Sequence, residues 1–233
     1  MVLDEATSKY VVRVRRLRRG DALILFDPET ALEASATLLE DSPQRCRVES
    51  AAPQPSCAGS GTELVLVQGA GKGEKLDLVV RDATALGVTR LVVLEAERSV
   101  RRLAASPGDK LQRWRRISVE AARQCGRGDT PRLEFATNLV DVVAALHPQV
   151  RVWMLDPRGE AHLAELLLGT GPATALAICV GPEGGWSPHE VDGARGRGGL
   201  LVRAWPHVLR TETAATAALG AISALRGITT APR

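Results

Sequence analysis

The chain has 233 residues, and since domains usually take roughly 100–200, it holds one large domain or two modest ones. Formal charge is only +3, from 30 Lys and Arg against 27 Asp and Glu, so bulk charge names no partner. No apolar run approaches the ~20 residues of a membrane-spanning helix, and neither a secretory pattern nor CxxC or metal-ligand spacing is seen among the four cysteines and four histidines. We therefore expect a cytoplasmic protein with reduced thiols, no membrane and no metal.

Local charge is more informative. Lys9, Arg13, Arg15, Arg16, Arg18 and Arg19 crowd the amino end, and Arg98, Arg101, Arg102, Lys110, Arg113, Arg115 and Arg116 form a second group. Such clusters suit a polyanion, and equally describe solvated arginines on exposed faces. Residues 1–50 read as a small β-rich unit in which "ALILF" and "ASATLLE" are set off by the turns "RRGD" and "DPET". "YVVRVRRL" fits a short helix through Val11, Val14 and Leu17 as well as a strand through Val12 and Val14. The unit is short for a closed barrel. Pro, Ser, Gly and Ala then mark 51–61 as a linker, leaving 62–233 as a second domain.

There the pattern changes. Strands are expected at "ELVLVQG", "RLVVLEA", "VRVWML", "ALAICV" and "LLVRAW", and helices over 74–86, 108–125, 137–146, 160–168, 188–196 and 212–226. Buried strands alternating with helices predict an α/β domain with a largely parallel sheet, whose ligands bind beyond the carboxyl ends of strands. Cys125 reads as a packing residue.

Two loops sit at such ends. In "GPEGGWSPHE", Gly181, Gly184 and Gly185 permit positive φ and close backbone approach, while Ser187, Pro188 and Glu190 predict a capping box opening a helix. "WPHVLRTET" leads into the last helix, whose first N–H groups lack helical acceptors. Backbone edges with flat apolar cover suit an adenine ring. With no GxxxxGK[ST] and no GxGxxG after the first strand, a P-loop and a dinucleotide fingerprint are excluded. Read alone, either loop also serves simply to turn a corner.

"GPEGGWSPHEV" and "VLRTETAATAAL", with "GKGEKLDLVVRDATALGV", "ERSV", Trp114, Ile117, the run Glu120–Arg127 and Pro131 upstream, resemble the ribosomal RNA small-subunit methyltransferase E family over nearly the whole chain. The resemblance implies a SPOUT-type trefoil-knotted α/β domain with a parallel sheet, preceded by a small PUA-like β-barrel for RNA. It implies a homodimer that uses S-adenosyl-L-methionine to methylate N3 of one uridine of 16S ribosomal RNA in the small ribosomal subunit. Carried over by position, the cofactor meets Leu155, Gly181, Pro182, Glu183, Gly184, Gly185, Trp205, Val208, Leu209, Arg210 and Thr211. RNA is expected at Arg13, Arg16, Lys72, Lys75, Arg98 and Arg127.

Methyl transfer is an in-line displacement in which positioning supplies much of the catalysis. Uridine N3 is a weak nucleophile until it loses its proton. A nearby cation favours the anion, and Arg210 is the candidate catalytic residue. Glu212 reads as a helix-dipole residue, Glu183 as a loop brace, and His189 and His207 as loop histidines more often found on surfaces than as bases. The chain departs from the family at Asp82 and Ala85, where a lysine and a glutamate are usual, at Trp205 in place of a glycine, and at His207 in place of an arginine. Family members also carry a stretch before the segment matching "VLDEATSKYVVRV" that forms the first barrel strand, so either the start of this chain is mis-assigned or its RNA-binding domain is reduced. The alternatives are a scaffold of this fold that has lost cofactor binding, and a SPOUT methyltransferase with another RNA target.

Overall fold

The computed structural model describes residues 1–28, 30–56, 62–71, 75–100 and 107–227. Lys72, Arg101, Arg102 and Cys57 lie outside the described residues. The chain divides into two compact units, Met1–Ser60 with Arg127–Asp129, and Gly61–Gly126 with Thr130–Arg233.

In the first unit, helix α1 (Glu5–Lys9) is capped by Asp4, whose carboxylate accepts from the Thr7 N–H at 2.8 Å. A π-helical turn, Tyr10–Val14, follows. Its i→i+5 bond from Arg15 N–H to Tyr10 O (2.9 Å) widens the last turn. Ser8, Val11 and Val12 form the buried face, and Val14, expected on it, is 65% exposed. The Ser8 hydroxyl accepts from Cys46 N–H at 2.9 Å, fastening the helix to the sheet.

That sheet is antiparallel: β1 (Ala22–Asp27), β2 (Leu32–Asp41) and β3 (Cys46–Ser50) in order, with β4 (Gln54–Pro55) also on β2. Among the described residues these pairings do not close into a ring. Because β4 falls inside the stretch read as linker, ordered pairing in this unit continues past residue 50. Leu3, Val11, Val12, Leu38, Cys46 and Val48 make the small core.

The second unit is a seven-stranded parallel sheet. Its strands are β5 (Leu64–Gly69), β6 (Arg90–Leu94), β7 (Arg132–Ala136), β8 (Arg151–Leu155), β9 (Ala161–His162), β10 (Leu176–Val180) and β11 (Leu200–Arg203), in the order β7-β6-β5-β10-β8-β11-β9. Successive side chains on a strand point to opposite faces, and both faces are buried. Leu64 and Leu66 share a core with α2 (Lys75–Ala85), α3 (Pro107–Cys125), α5 (Leu163–Leu168) and α7 (Thr211–Gly227). Val65 and Val67 face α4 (Leu139–Ala144) and α6 (Pro188–Arg195). β7 was not foreseen. On the sheet's edge, "RLEFA" spends two of its five residues on ion pairing, Glu134 bonding Arg90 of β6 (2.8–3.0 Å) and Arg132 (2.7 Å), so no apolar run marks it. "LLVRAW" is strand only to Arg203, and Trp205 lies in the following loop.

Asp82 and Ala85 both lie on α2, where the Asp82 carboxylate accepts from Thr216 Oγ1 of α7 at 3.1 Å. Asp82 is thus a helix–helix tie. Cys125 is exposed and Cys179 buried, the reverse of a packing role for Cys125, and burial pushes the Cys179 thiol up to about 12. No described helix is long and apolar enough to cross a membrane.

The register sets a steric demand where β5 ends. Gly69 lies so close to the chain leaving β10 that a Cβ on it would sit 2.5 Å from Pro182 N and 2.8 Å from Gly181 C. Gly69→Ala is expected to cost about 1–3 kcal/mol through forced backbone shifts, read as a lowered urea midpoint, whereas Gly87→Asn, at φ +87 in open space, meets no neighbour and costs only the smaller backbone strain that Asn tolerates best after Gly.

Candidate functional site

A cavity of about 560 Å³ opens beyond the carboxyl ends of β8, β10 and β11, within the second unit. The chain builds β5 to β7 toward one side of the sheet, and β10 and β8 lie on the other side of β5, which makes this a topological switch region. One wall is the loop after β10. Trp186, 1% exposed, donates from Nε1 to Leu155 O at 3.2 Å and so pins that loop to the end of β8. Ser187 and Glu190 form the expected capping box, Ser187 Oγ accepting from Glu190 N–H (3.1 Å) and Glu190 Oε2 from Ser187 N–H (2.9 Å). The opposite wall runs from Ala204 to the start of α7.

The structure brings Leu155, Gly181, Pro182, Glu183, Gly184, Gly185, Trp205, Val208, Leu209, Arg210 and Thr211 to this one cavity. Of the loop glycines, Gly185 has a positive φ (+68). Gly181 and Gly184 do not have a positive φ. A Cβ on Gly181 would press the Trp186 ring at 3.2 Å, and one on Gly184 would meet Arg98 O at 2.9 Å, so both make room for other parts of the protein. Trp205 is half-buried against the core and forms part of the wall while the cavity stays open.

Charge at the site is mostly paired. Lys75 Nζ lies 3.4 Å from Glu183 Oε1 and 3.5 Å from Glu212 Oε1. The buried Asp156 carboxylate takes two bonds from the Arg158 side chain (2.9 and 2.8 Å) and one from its backbone N–H (2.8 Å). Those bonds from Arg158 hold the Asp156 carboxyl below its ordinary value despite burial, and raise Arg158 in turn. Arg98 reaches Gly184 O at 3.4 Å. Arg210 is exposed at the cavity, and its guanidinium has no hydrogen-bond or ion-pair partner among the described residues. His207 also lines the cavity, whereas His189 sits on α6 beside Glu97 (2.8 Å).

The basic residues expected at RNA separate. Arg98 lies at the cavity, Lys75 is shared by two carboxylates, and Arg13 and Arg16 are exposed in the first unit, Arg16 at φ +56. Arg127 is buried in the first unit, its guanidinium on Asp129 at 2.9 and 3.0 Å, an arrangement that closes it to an outside phosphate. Sequence reasoning missed Gln68, Arg158 and the tie made by Trp186. The available signal for Gln68 was one amide ending the apolar run "LVLV". Among the described residues, no three His, Cys, Asp or Glu side chains are grouped as a metal site requires.

The family model for an RNA methyltransferase domain matches residues 59–223, which take in the parallel sheet and the cavity. The chain is 30% identical over 238 residues to ribosomal RNA small subunit methyltransferase E of Mycobacterium bovis, covering 96% of this chain and 86% of the relative. It is 27% identical to the Bacillus subtilis protein of that name, covering 92% and 86%. The crystal structure of ribosomal RNA small subunit methyltransferase E from Neisseria gonorrhoeae bound to S-adenosyl methionine superposes with a TM-score of 0.78 at 25% identity, covering 97% of this chain and 91% of that one. The chain belongs to the ribosomal RNA small subunit methyltransferase E family.

The Asp156–Arg158 pair carries a pH signature. With its folded-state value lowered from 3.8, Asp156 adds stability that is fully present above pH 3.8 and lost as pH falls through the lowered value. Asp156→Asn is expected to melt below wild type at pH 7, with the gap closing under pH ~4. Thermal melts of both proteins from pH 3 to 8 check this.

Proposed function

We propose that this chain is an S-adenosylmethionine-dependent methyltransferase that modifies N3 of one uridine in 16S ribosomal RNA. The observation that carries the reading is the cavity at the carboxyl ends of β8, β10 and β11, walled by two loops, with Arg210, whose guanidinium is uncommitted among the described residues, at its opening. The residues present fit the cofactor. The volume suits a nucleoside-sized ligand, loop backbone supplies donors and acceptors, and Trp205 and Leu209 give flat apolar cover. Bound there, S-adenosylmethionine supplies an electrophilic methyl group.

The protein's own work is positioning and charge placement. Uridine N3 becomes nucleophilic when its proton leaves to solvent, and a guanidinium beside the ring favours the anion that remains. Of the arginines lining the cavity, Arg158 is held by Asp156 and Arg98 reaches a carbonyl, so Arg210 takes this role. Lys75 balances Glu183 and Glu212, which would otherwise repel both the anion and the RNA backbone.

The reading extends to the whole molecule. Exposed Arg13 and Arg16 on a β-rich first unit support a PUA-like module for RNA, and membership of the family supports a SPOUT knot. Val208, an apolar side chain 80% exposed on the cavity loop, supports a homodimer interface. An RNA substrate in the small ribosomal subunit supports a cytoplasmic location. The scaffold alternative requires Trp205 to fill the cofactor's place, and the open cavity favours the enzyme.

Calorimetric titration is expected to show micromolar S-adenosylmethionine binding at one per chain, and no heat at millimolar ligand overturns the reading. Nucleoside mass spectrometry of treated small subunits is expected to find 3-methyluridine. Arg210→Ala is expected to lower turnover by roughly 10²-fold. Its pH–rate profile moves to higher pH, because loss of the cation raises the pH at which uridine N3 deprotonates.

A further inference from the structure

We propose that Gln68 is the positioning residue of this cavity, a buried amide that locks the loop after β10 to the start of α7 through the Thr211 hydroxyl. The proposal rests on the methyl-donor reading of the cavity.

Gln68 is fully buried near the middle of the seven-stranded sheet, in register with Val93 of β6 and Val180 of β10. Leu64 and Leu66 precede it on the same face, so packing alone calls for another aliphatic residue here. The chain places an amide instead. Its Nε2 donates to Thr211 Oγ1 at 2.7 Å and to Gly69 O at 3.1 Å. Those partners settle the orientation of the amide, because a flipped Oε1 would face the Gly69 carbonyl oxygen with no proton between them.

The direction of the next bond follows. The Thr211 hydroxyl already accepts from Gln68, and its single proton goes to Gly181 O at 2.8 Å. One relay therefore joins the end of β5, the first residue of α7 and the first residue of the loop after β10. Thr211 and Gly181 line opposite walls of the cavity, and Gln68 lies beneath both without lining it.

The relay has a cost that a purely structural role leaves unexplained. Among the described residues Gln68 Oε1 is buried with no hydrogen-bond partner, and a buried unsatisfied carbonyl is destabilising. Methionine at this place would remove that penalty and keep the volume. What it would lose is the donor that sets Thr211, and through it Gly181. Gln68 thus trades stability for a pocket whose walls are set before the ligand arrives.

The test compares wild type with Gln68→Met, Thr211→Val, Thr211→Ser and the double variant Gln68→Met/Thr211→Val. Three readouts are taken: melting of the ligand-free protein, hydrogen exchange over residues 181–186 and 208–211 without ligand, and calorimetric titration with S-adenosylmethionine. Gln68→Met is expected to melt at or above wild type, exchange faster in both loops, and bind S-adenosylmethionine about 10-fold more weakly. The double variant binds no worse than Thr211→Val, since the two residues act through one relay. Thr211→Ser, which keeps the hydroxyl, recovers most of what Thr211→Val loses. Gln68→Met with wild-type exchange and affinity within twofold overturns the proposal, as does Thr211→Ser behaving like Thr211→Val. If wild type binds no S-adenosylmethionine, the methyl-donor reading fails, and unchanged or accelerated loop exchange in Gln68→Met then decides the relay by itself.

Discussion

The parallel pairing of β5 with β10 is the constraint on which the rest of the second unit depends. Its register, Leu64 opposite Leu176 through Gln68 opposite Val180, brings the two strand ends level. The chain leaving β10 at Gly181 therefore emerges beside Gly69, with no room for a side chain between them. It also puts Gln68 next to the strand's last residue and under the first residue of α7. Pairing of β10 with β8 on its other side adds Leu155, whose carbonyl takes the Trp186 indole N–H. A sheet formed in this register delivers the two cavity walls to the same place, and side-chain bonds then fasten them.

Electrostatics at the cavity follow the same economy of local commitment. Asp156 and Arg158 are two residues apart and satisfy one another, and Lys75 is shared between carboxylates from two different walls. Preorganised charge acts without reorganisation only if its partners are already fixed. Arg210 differs. It immediately precedes Thr211, the residue held by the relay, so its backbone is anchored while its guanidinium stays uncommitted among the described residues. A group that must meet a transient anion needs a fixed base and a free head, and this position offers both.

Most of the α/β architecture was legible because strands buried on both faces read as unbroken apolar runs. "LVLVQG", "LAICV" and "RVWML" became β5, β10 and β8 within a residue of expectation. The exceptions have physical causes. β7 sits at the sheet edge, where it is only half-buried and its Arg and Glu engage in ion pairs, so no apolar run or periodicity marks it. The π turn at Tyr10–Val14 shifts the buried face to Ser8, Val11 and Val12, a change that no helical or strand period anticipates. Arg127 looked like one more basic residue because nothing local distinguishes a guanidinium sealed on Asp129 from one open to solvent. The cavity residues were found through motif resemblance. Gln68, outside the motif, was marked only by one amide ending an apolar run, and its bond to Thr211 at the start of α7 shows what that amide does.

The loop glycines show how the smallness of a residue answers to neighbours inside the protein. Small residues at 181, 184 and 185 suggested backbone wrapping a ligand, and the loop does line the cavity. Yet the atoms that exclude a Cβ at Gly181 and Gly184 belong to Trp186 and Arg98. Their smallness lets an indole and a neighbouring loop pack against the strand end, which in turn aims backbone edges at the cavity. Only Gly185, at φ +68, serves the conformational role that such residues suggest. Sequence records that a position must be small, and it does not record which neighbour enforces it. For a loop braced by Trp186 on one side and by the Gln68–Thr211 relay on the other, the enforcing neighbour is the protein itself, and the space left open to a ligand is what that bracing defines.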